Sequence, residues 1–374
     1  MIYLDNAATS YPKPQIVRDA VNFCFGKWGG NPGRSGHALS IETASAVYEA
    51  RETIARFIGS ETPEQIIFTS NATHALNIAI RGSIEEGEHI LISDLEHNAV
   101  YRPLWYLKES GKITFSHFSH KGDVLENIRK AITPQTRHII ATHVSNVNGS
   151  ILPIKDIGEL CKSSGIFFIV DASQSLGHIA LSLKNFYCDA LCASGHKGMM
   201  GIQGAGILYL KDAEKIRPLM HGGSGAHSLD SSMPSYMPDK YEAGTLATPA
   251  IVSLGAGVGW LEAYTLDSVE AEITAYNNRL YSALLEMKKI HLYSDRDSCI
   301  LSFGHDSISS EDFANQLDEK GICVRGGIHC APLAHQSLGT LPGGLVRISP
   351  SIFSSEKAIP YVIDSIYKIA KGRP

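Results

Sequence analysis

No stretch of this chain approaches the ~20 consecutive apolar residues of a membrane-crossing helix, and no lysine or arginine run stands out against a formal charge of -5 over 374 residues. The first absence argues against a membrane span, the second against a nucleic-acid surface. Cysteine is sparse: Cys24, Cys161, Cys188, Cys192, Cys299, Cys323 and Cys330 form an odd, scattered set without CxxC spacing. No disulfide framework is expected, and most of these thiols read as small buried hydrophobes. Neither the spacing of Cys188 and Cys192 nor any nearby histidine pair suits zinc, and HExxH is absent despite 16 histidines, so no metal is expected. Repeats and low-complexity segments are also missing. The start, Met1-Ile2-Tyr3-Leu4-Asp5-Asn6, lacks a basic leader followed by an apolar region, which makes the cytoplasm the expected location.

With 44% hydrophobic and 19% charged residues, the composition is that of an ordinary globular protein. Its length is more than one core usually holds, so two domains are expected. Short apolar runs recur: Ile66-Ile67-Phe68-Thr69, His89-Ile90-Leu91-Ile92, Ile113-Thr114-Phe115, His138-Ile139-Ile140-Ala141, Phe167-Phe168-Ile169-Val170 and Ala190-Leu191-Cys192. Helical patterns separate them, which points to an α/β fold with a mostly parallel sheet and helices on both faces. In such a fold ligands sit at the carboxyl ends of the strands. Thr73, His97, Asn146, Asp171 and Lys197 all fall at or just after such ends.

The first thirty residues read as a turn-rich arm, 31–37 as a polar glycine-rich loop, and Ser40-Ile41-Glu42 as the opening of a helix. From His221 to Thr245 the chain is polar and rich in turns. A helix from about Ala271 to Met287 leads out of the first domain. Beyond it a strand over Ile300–Phe303, a helix over Glu311–Lys320, strands around Val324 and over Leu345–Ser349, and a terminal helix from Ser355 suggest a smaller α+β domain. The expected division is an arm at 1–15, a large domain at 16–260 and a small domain at 261–374.

Ala193-Ser194-Gly195-His196-Lys197-Gly198 places one lysine in a small-residue turn after a buried run. Asp171, at the end of another run, and Gln174 share its rim. Pyridoxal 5'-phosphate (PLP) chemistry asks for such a set: an amine for the Schiff base, a carboxylate for the pyridinium nitrogen and a hydrogen-bonding group near the ring hydroxyl. Taken singly, Lys197 reads as a surface cation and Asp171 as a helix cap; it is their joint spacing that points to the chemistry. Ser70-Asn71-Ala72-Thr73-His74, turning into a helix, is either a phosphate site or a plain cap, and it fits neither GxxxxGK nor GxGxxG.

Four stretches then carry a resemblance: Val170-Asp171-Ala172-Ser173-Gln174, Ser194-Gly195-His196-Lys197, Glu242-Ala243-Gly244-Thr245 and Arg325-Gly326-Gly327-Ile328-His329-Cys330. With these in order, nearly the whole chain resembles the class V aminotransferase group of fold-type I PLP enzymes. Within it, the likeness is to cysteine desulfurases and selenocysteine lyases of the short cysteine-loop type. The resemblance implies that Lys197 carries PLP, Asp171 pairs with its ring nitrogen, and His97 stacks on the ring and shuttles protons. It implies Asn146 and Gln174 near the ring hydroxyl and Ala72, Thr73, Ser194 and His196 around the phosphate. Thr245 would come from the neighbouring subunit of a homodimer. Arg347 would grip the substrate carboxylate, with Asn146 and Arg325 nearby.

Cys330 would attack the substrate sulfur, leaving a persulfide and alanine, and either His329 or Arg325 could help keep its thiolate. The substrate would be L-cysteine or selenocysteine, with a sulfur-acceptor protein docking near the short loop. A PLP lyase, desulfinase or epimerase independent of Cys330 is the alternative within enzymes, and a non-catalytic binding protein is the remote one. His74 stands where such chains often have glutamate, and Gly327-Ile328-His329 where they often have Gly-His-His.

Overall fold

The computed structural model describes residues 1–372 other than Arg34, His227 and Ser228. Arg34, in the loop expected at 31–37, therefore lies outside the described residues. The chain opens with β1 (Ile2–Tyr3), α1 (Gln15–Gly26) and α2 (Ala38–Ile58). Strands and helices then alternate through β2 (Ile66–Thr69), α3 (Ala72–Ser83), β3 (His89–Ser93), α4 (Asn98–Glu109), β4 (Thr114–Phe118), α5 (Val124–Ala131) and β5 (Thr136–Thr142). The alternation continues with α6 (Ile154–Ser164), β6 (Phe167–Asp171), α7 (Leu183–Phe186), β7 (Ala190–Ser194) and β8 (Gly206–Leu210). After a turn-rich stretch come α8 (Thr248–Tyr264), α9 (Leu266–Leu285), β9 (Ile290–Leu292), β10 (Leu301–His305), α10 (Ser310–Asp318) and β11 (Ile322–Cys323). The last elements are β12 (Arg325–Gly327), α11 (Pro332–Leu338), β13 (Leu345–Ile348) and α12 (Ile359–Lys371).

The large sheet has seven strands in the order β2-β8-β7-β6-β5-β3-β4. Every pair is parallel except the two made by β8, which runs antiparallel to β2 and β7. Because successive strand residues point to opposite faces, runs such as Ile139-Ile140 and Phe168-Ile169 feed two cores. Leu91, Ile139, Phe168, Val170 and Leu191 pack on one side, and Ile90, Ile92, Ile140, Ile169 and Cys192 on the other. Each such side chain contributes about 1.5–3 kcal/mol on burial. The expected mostly parallel sheet, covered on both faces, is what forms.

A second sheet is antiparallel, in the order β12-β13-β10-β9. Tyr276 and Leu280 of α9, Phe313 and Leu317 of α10 and Val362 and Ile366 of α12 bury against Phe303 and Val346 of its strands. The N-terminal residues belong to this region: β1 pairs in parallel with β11, and Asp5 bridges Ser349. Leu4 is fully buried in the same cluster.

Several expectations are corrected. The first thirty residues are an arm only up to Pro14, after which α1 forms. The helix read from Ser40 begins at Ala38, because the His37 ring accepts a hydrogen bond from the Ser40 amide at 3.2 Å. Val324 lies between two short strands that join different sheets. The helix expected from Ala271 begins at Leu266 and follows α8, which was not expected at all. Among the described residues no helix is long and apolar enough to cross a membrane, and no group of three or more His, Cys, Asp or Glu could hold a metal.

Candidate active site

Strands β5, β6 and β7 lie side by side, so their carboxyl ends bring Asn146, Asp171 and Lys197 to one rim. The turn after Ser194 is tight, since the Gly201 amide donates to the Gly195 carbonyl at 2.9 Å and the Met200 amide to Lys197 at 3.0 Å. A side chain at Gly195 would run into the Ala205 carbonyl at 2.8 Å, so glycine is required there. Burial draws the Lys197 amine down to about 8, helped by Arg347 and Arg325 and opposed by Asp171. An amine so lowered is free, and nucleophilic, in a useful fraction near neutral pH.

Asp171 is buried and accepts the Ser173 amide at 2.9 Å. Gln174 donates to the Ala7 carbonyl at 3.0 Å, while its Oε1 and the Ser173 hydroxyl are buried without partners among the described residues. Such orphaned groups mark a place where a bound molecule completes the bonding. His97 caps α4, its Nδ1 accepting the Ala99 amide at 3.0 Å, which leaves the ring proton on Nε2. Burial, against the pull of Asp171, lowers His97 to about 4, so the ring is neutral.

Ala72 and Thr73 open α3, where Asn71 caps by accepting the His74 amide at 2.9 Å. The Ala72 amide reaches the Ser194 hydroxyl at 3.5 Å, joining the helix start to the end of β7. Unpaired amides and the helix dipole favour an anion here. His196 holds Thr9 Oγ1 at 3.0 Å, and burial lowers it to about 4. Its carbonyl accepts from the Ser10 amide and from Lys13 Nζ at 2.9 Å. The N-terminal arm thus straps the lysine turn.

Arg347, on β13, is 1% exposed. One arm of its guanidinium donates to the Asn146 carbonyl at 2.9 Å and the other pairs with Asp5 Oδ1 at 2.8 Å, leaving Nε without a partner among the described residues. Asn146 Nδ2 donates to the His329 carbonyl at 2.7 Å, tying the rim to the cysteine loop. That loop is short, running from the end of β12 to the start of α11. Its Cys330 is exposed, and both His329 and Cys330 adopt left-handed backbone, with φ of 52° and 57°. The Asn98 amide holds the Cys330 carbonyl at 2.7 Å. His329 is buried and pulled down to about 2, so of the two proposed thiolate partners it is the neutral one, and only Arg325 is a cation. Thr73, His97, Asn98, Arg102 and Cys330 line one cavity of about 380 Å³.

Thr245 stands apart: it is exposed and accepts from Asn31 Nδ2 at 3.3 Å. Glu242 of the same stretch is structural, in a buried pair with Arg51 at 2.8 Å and accepting the Phe68 amide at 2.6 Å. Asp5, Ser173 and Glu96 had no role in the sequence reading. Asp5 and Arg347 are 342 positions apart, a pairing that no local pattern reveals.

The family model for "Aminotransferase class-V" matches residues 2–362. A "Probable cysteine desulfurase" of Methanothermobacter thermautotrophicus is 32% identical, covering 99% of this chain and 94% of that protein. The "Cysteine desulfurase IscS" of Clostridium botulinum is 31% identical over 100% of this chain and 95% of its own length. Among solved structures, the apo cysteine desulfurase of Thermococcus onnurineus superposes with a TM-score of 0.92 at 28% identity, covering 100% of this chain and 95% of that one.

Proposed function

The chain belongs to the class-V aminotransferase family, and from that premise we propose that it is a PLP-dependent cysteine desulfurase, converting L-cysteine to L-alanine and taking the sulfur onto Cys330 as a persulfide. The observation that carries this reading is the meeting of two regions. Asn146, on the rim that carries Asp171 and the buried Lys197, donates to the His329 carbonyl at 2.7 Å and accepts from Arg347 at 2.9 Å, which brings the cysteine loop and β13 to that rim.

The residues present fit the cofactor. Lys197 offers the amine, Asp171 an anion for the ring nitrogen, and the orphaned Gln174 Oε1 a partner for the ring hydroxyl, with Asn146 nearby. Ala72 and Thr73 at the start of α3, with Ser194 and His196, form the phosphate cradle. Thr245, exposed on this chain, would complete the phosphate site of a neighbouring copy in a homodimer. Bound there, PLP supplies an electron sink that loosens bonds at the substrate's α and β carbons.

The chain's own residues do the rest. Arg347 meets the substrate carboxylate through its unpaired Nε and by sharing the arm now on Asp5. Neutral His97, with Nδ1 tied to the Ala99 amide, holds its proton on Nε2 beside the site and exchanges it with the substrate. The Cys330 thiolate attacks the substrate sulfur as the Cβ–S bond breaks, so that cysteine and one thiol become alanine and one persulfide. An exposed thiol on a short loop suits delivery to a sulfur-acceptor protein, and selenocysteine would fit the same pocket. The seven free cysteines, in a chain read as cytoplasmic, support a reducing surrounding.

The test is alanine formation from L-cysteine, with protein persulfide followed in parallel, for the purified holoenzyme and Cys330→Ala. The variant is expected to keep its visible cofactor absorbance and to lose both products by at least about 10²-fold. Full cysteine turnover by the variant would overturn the role of Cys330. Turnover of cysteine sulfinate alone would favour the desulfinase reading.

A further inference from the structure

Glu96 directly precedes His97 in the turn from β3 to α4, and its side chain is wholly shut off from solvent. The Ser93 hydroxyl and the Thr142 amide, the latter at 2.7 Å, both donate to Oε1. Oε2 is equally buried and has no partner among the described residues. Neither lysine nor arginine pairs with Glu96 among the described residues; the charges that bear on it are those of Asp171 and Asp94. Asp94 already accepts from His120 Nδ1 at 2.9 Å and Ser337 Oγ at 2.6 Å, so it holds its own negative charge in place. Thr142 is the strand neighbour of Asp171 across β5 and β6, which puts Glu96 and Asp171 at the same strand ends. An ionised carboxylate with one buried oxygen that no protein group bonds, beside two other carboxylates, is strongly disfavoured.

We infer that Glu96 is a positioning residue that remains a neutral carboxylic acid at neutral pH, fixing the β3–α4 turn that carries His97 and leaving Asp171 as the anion of these strand ends. Burial first, then Asp171 and Asp94, raise the carboxyl from its ordinary 4.5 to about 8, in agreement with the geometry. A second charge at Glu96 would stand beside the carboxylate that is to pair with a ring cation, and the two like charges would repel at the same strand ends. That consequence, though not the protonation itself, rests on the proposed role of Asp171. Two donors converge on Oε1, from the end of β3 and the end of β5, so the acid ties His97 to the strand beside Asp171 without adding charge.

The test uses the holoenzyme, with Glu96→Gln as the neutral isostere and Glu96→Ala as the truncation. Infrared difference spectra from about pH 6 to about 10 are expected to show a protonated-carboxyl stretch in the wild type at neutral pH. That band fades as pH rises through about 8 and is missing from Glu96→Gln. Glu96→Gln is expected to rescue turnover to within about threefold, whereas Glu96→Ala, which frees two buried donors, falls at least about tenfold. Stability gives a second readout. Between 4.5 and about 8 the folded state binds the extra proton, so wild-type thermal stability falls with rising pH across that window, and Glu96→Gln flattens the slope. Absence of the band at neutral pH, its survival in Glu96→Gln, or equal damage from both substitutions would overturn the inference. Asp171→Asn separates the two readings, because removing that charge shifts the Glu96 band to titrate at lower pH. If Asp171→Asn makes that shift yet keeps full turnover, the cofactor role of Asp171 fails and the Glu96 inference stands.

Discussion

Lys197 and Cys330 serve one proposed site, yet the chain holds them by different means. Lys197 follows a strand with hydrogen-bonded neighbours on both sides, in a turn whose carbonyls are strapped by Ser10 and Lys13. Asp171, at the end of the next strand, is equally enclosed. Cys330 is exposed on a short loop, and it and His329 share a left-handed backbone that residues with a Cβ rarely adopt. Such conformations cost roughly 1–3 kcal/mol each and persist only where the surroundings fix them. Here the Asn146–His329 and Asn98–Cys330 hydrogen bonds do so. The difference matches the tasks proposed for each region: a cofactor needs a site that does not move, and a sulfur carrier needs a thiol that two different molecules can reach.

The contrast breaks most visibly at the rigid end. Lys197→Ala is expected to abolish the visible absorbance of the bound cofactor and lower cysteine turnover by at least about 10³-fold, as a PLP titration and an alanine assay would show. Between the regions, Arg347→Lys replaces a planar fork by a point charge. Steady-state kinetics are expected to show KM for L-cysteine rising about tenfold or more, with a smaller change in kcat and unchanged cofactor absorbance. The smallest effect is at the exposed end and sharpens the comparison. Cys330→Gly is expected to be more stable than Cys330→Ala by roughly 1 kcal/mol in urea unfolding, because only glycine meets φ of 57° without steric cost.

The rim was readable in the sequence because buried parallel strands are short continuous apolar runs, and a polar residue after each run falls where ligands bind. Helix α8 was missed for the opposite reason. Thr248-Pro249-Ala250-Ile251-Val252-Ser253-Leu254-Gly255-Ala256-Gly257-Val258-Gly259 shows no amphipathic period, since much of this helix is buried, and its glycines read as turns. In the fold those glycines allow close approach: a Cβ at Gly255 would meet Ala50 at 2.8 Å and one at Gly257 the Met199 carbonyl at 2.3 Å. Glu96 escaped notice beside His97 because nothing local shows that an acid there is buried. Its burial is set by Ser93 and Thr142 from two strands.

The N-terminal arm has a consequence in time. Asn6 bonds to Ser349 across 343 positions, and Ser10 clasps the carbonyls of His196 and Lys197. At the ~5–20 residues per second of translation, Asn6 leaves the ribosome roughly 17–70 s before Ser349, the residue that anchors it. The earliest part of the chain to be made is therefore among the last to be seated. The lysine turn gains its anchored strap at the end of synthesis, well after the strands that carry it have emerged.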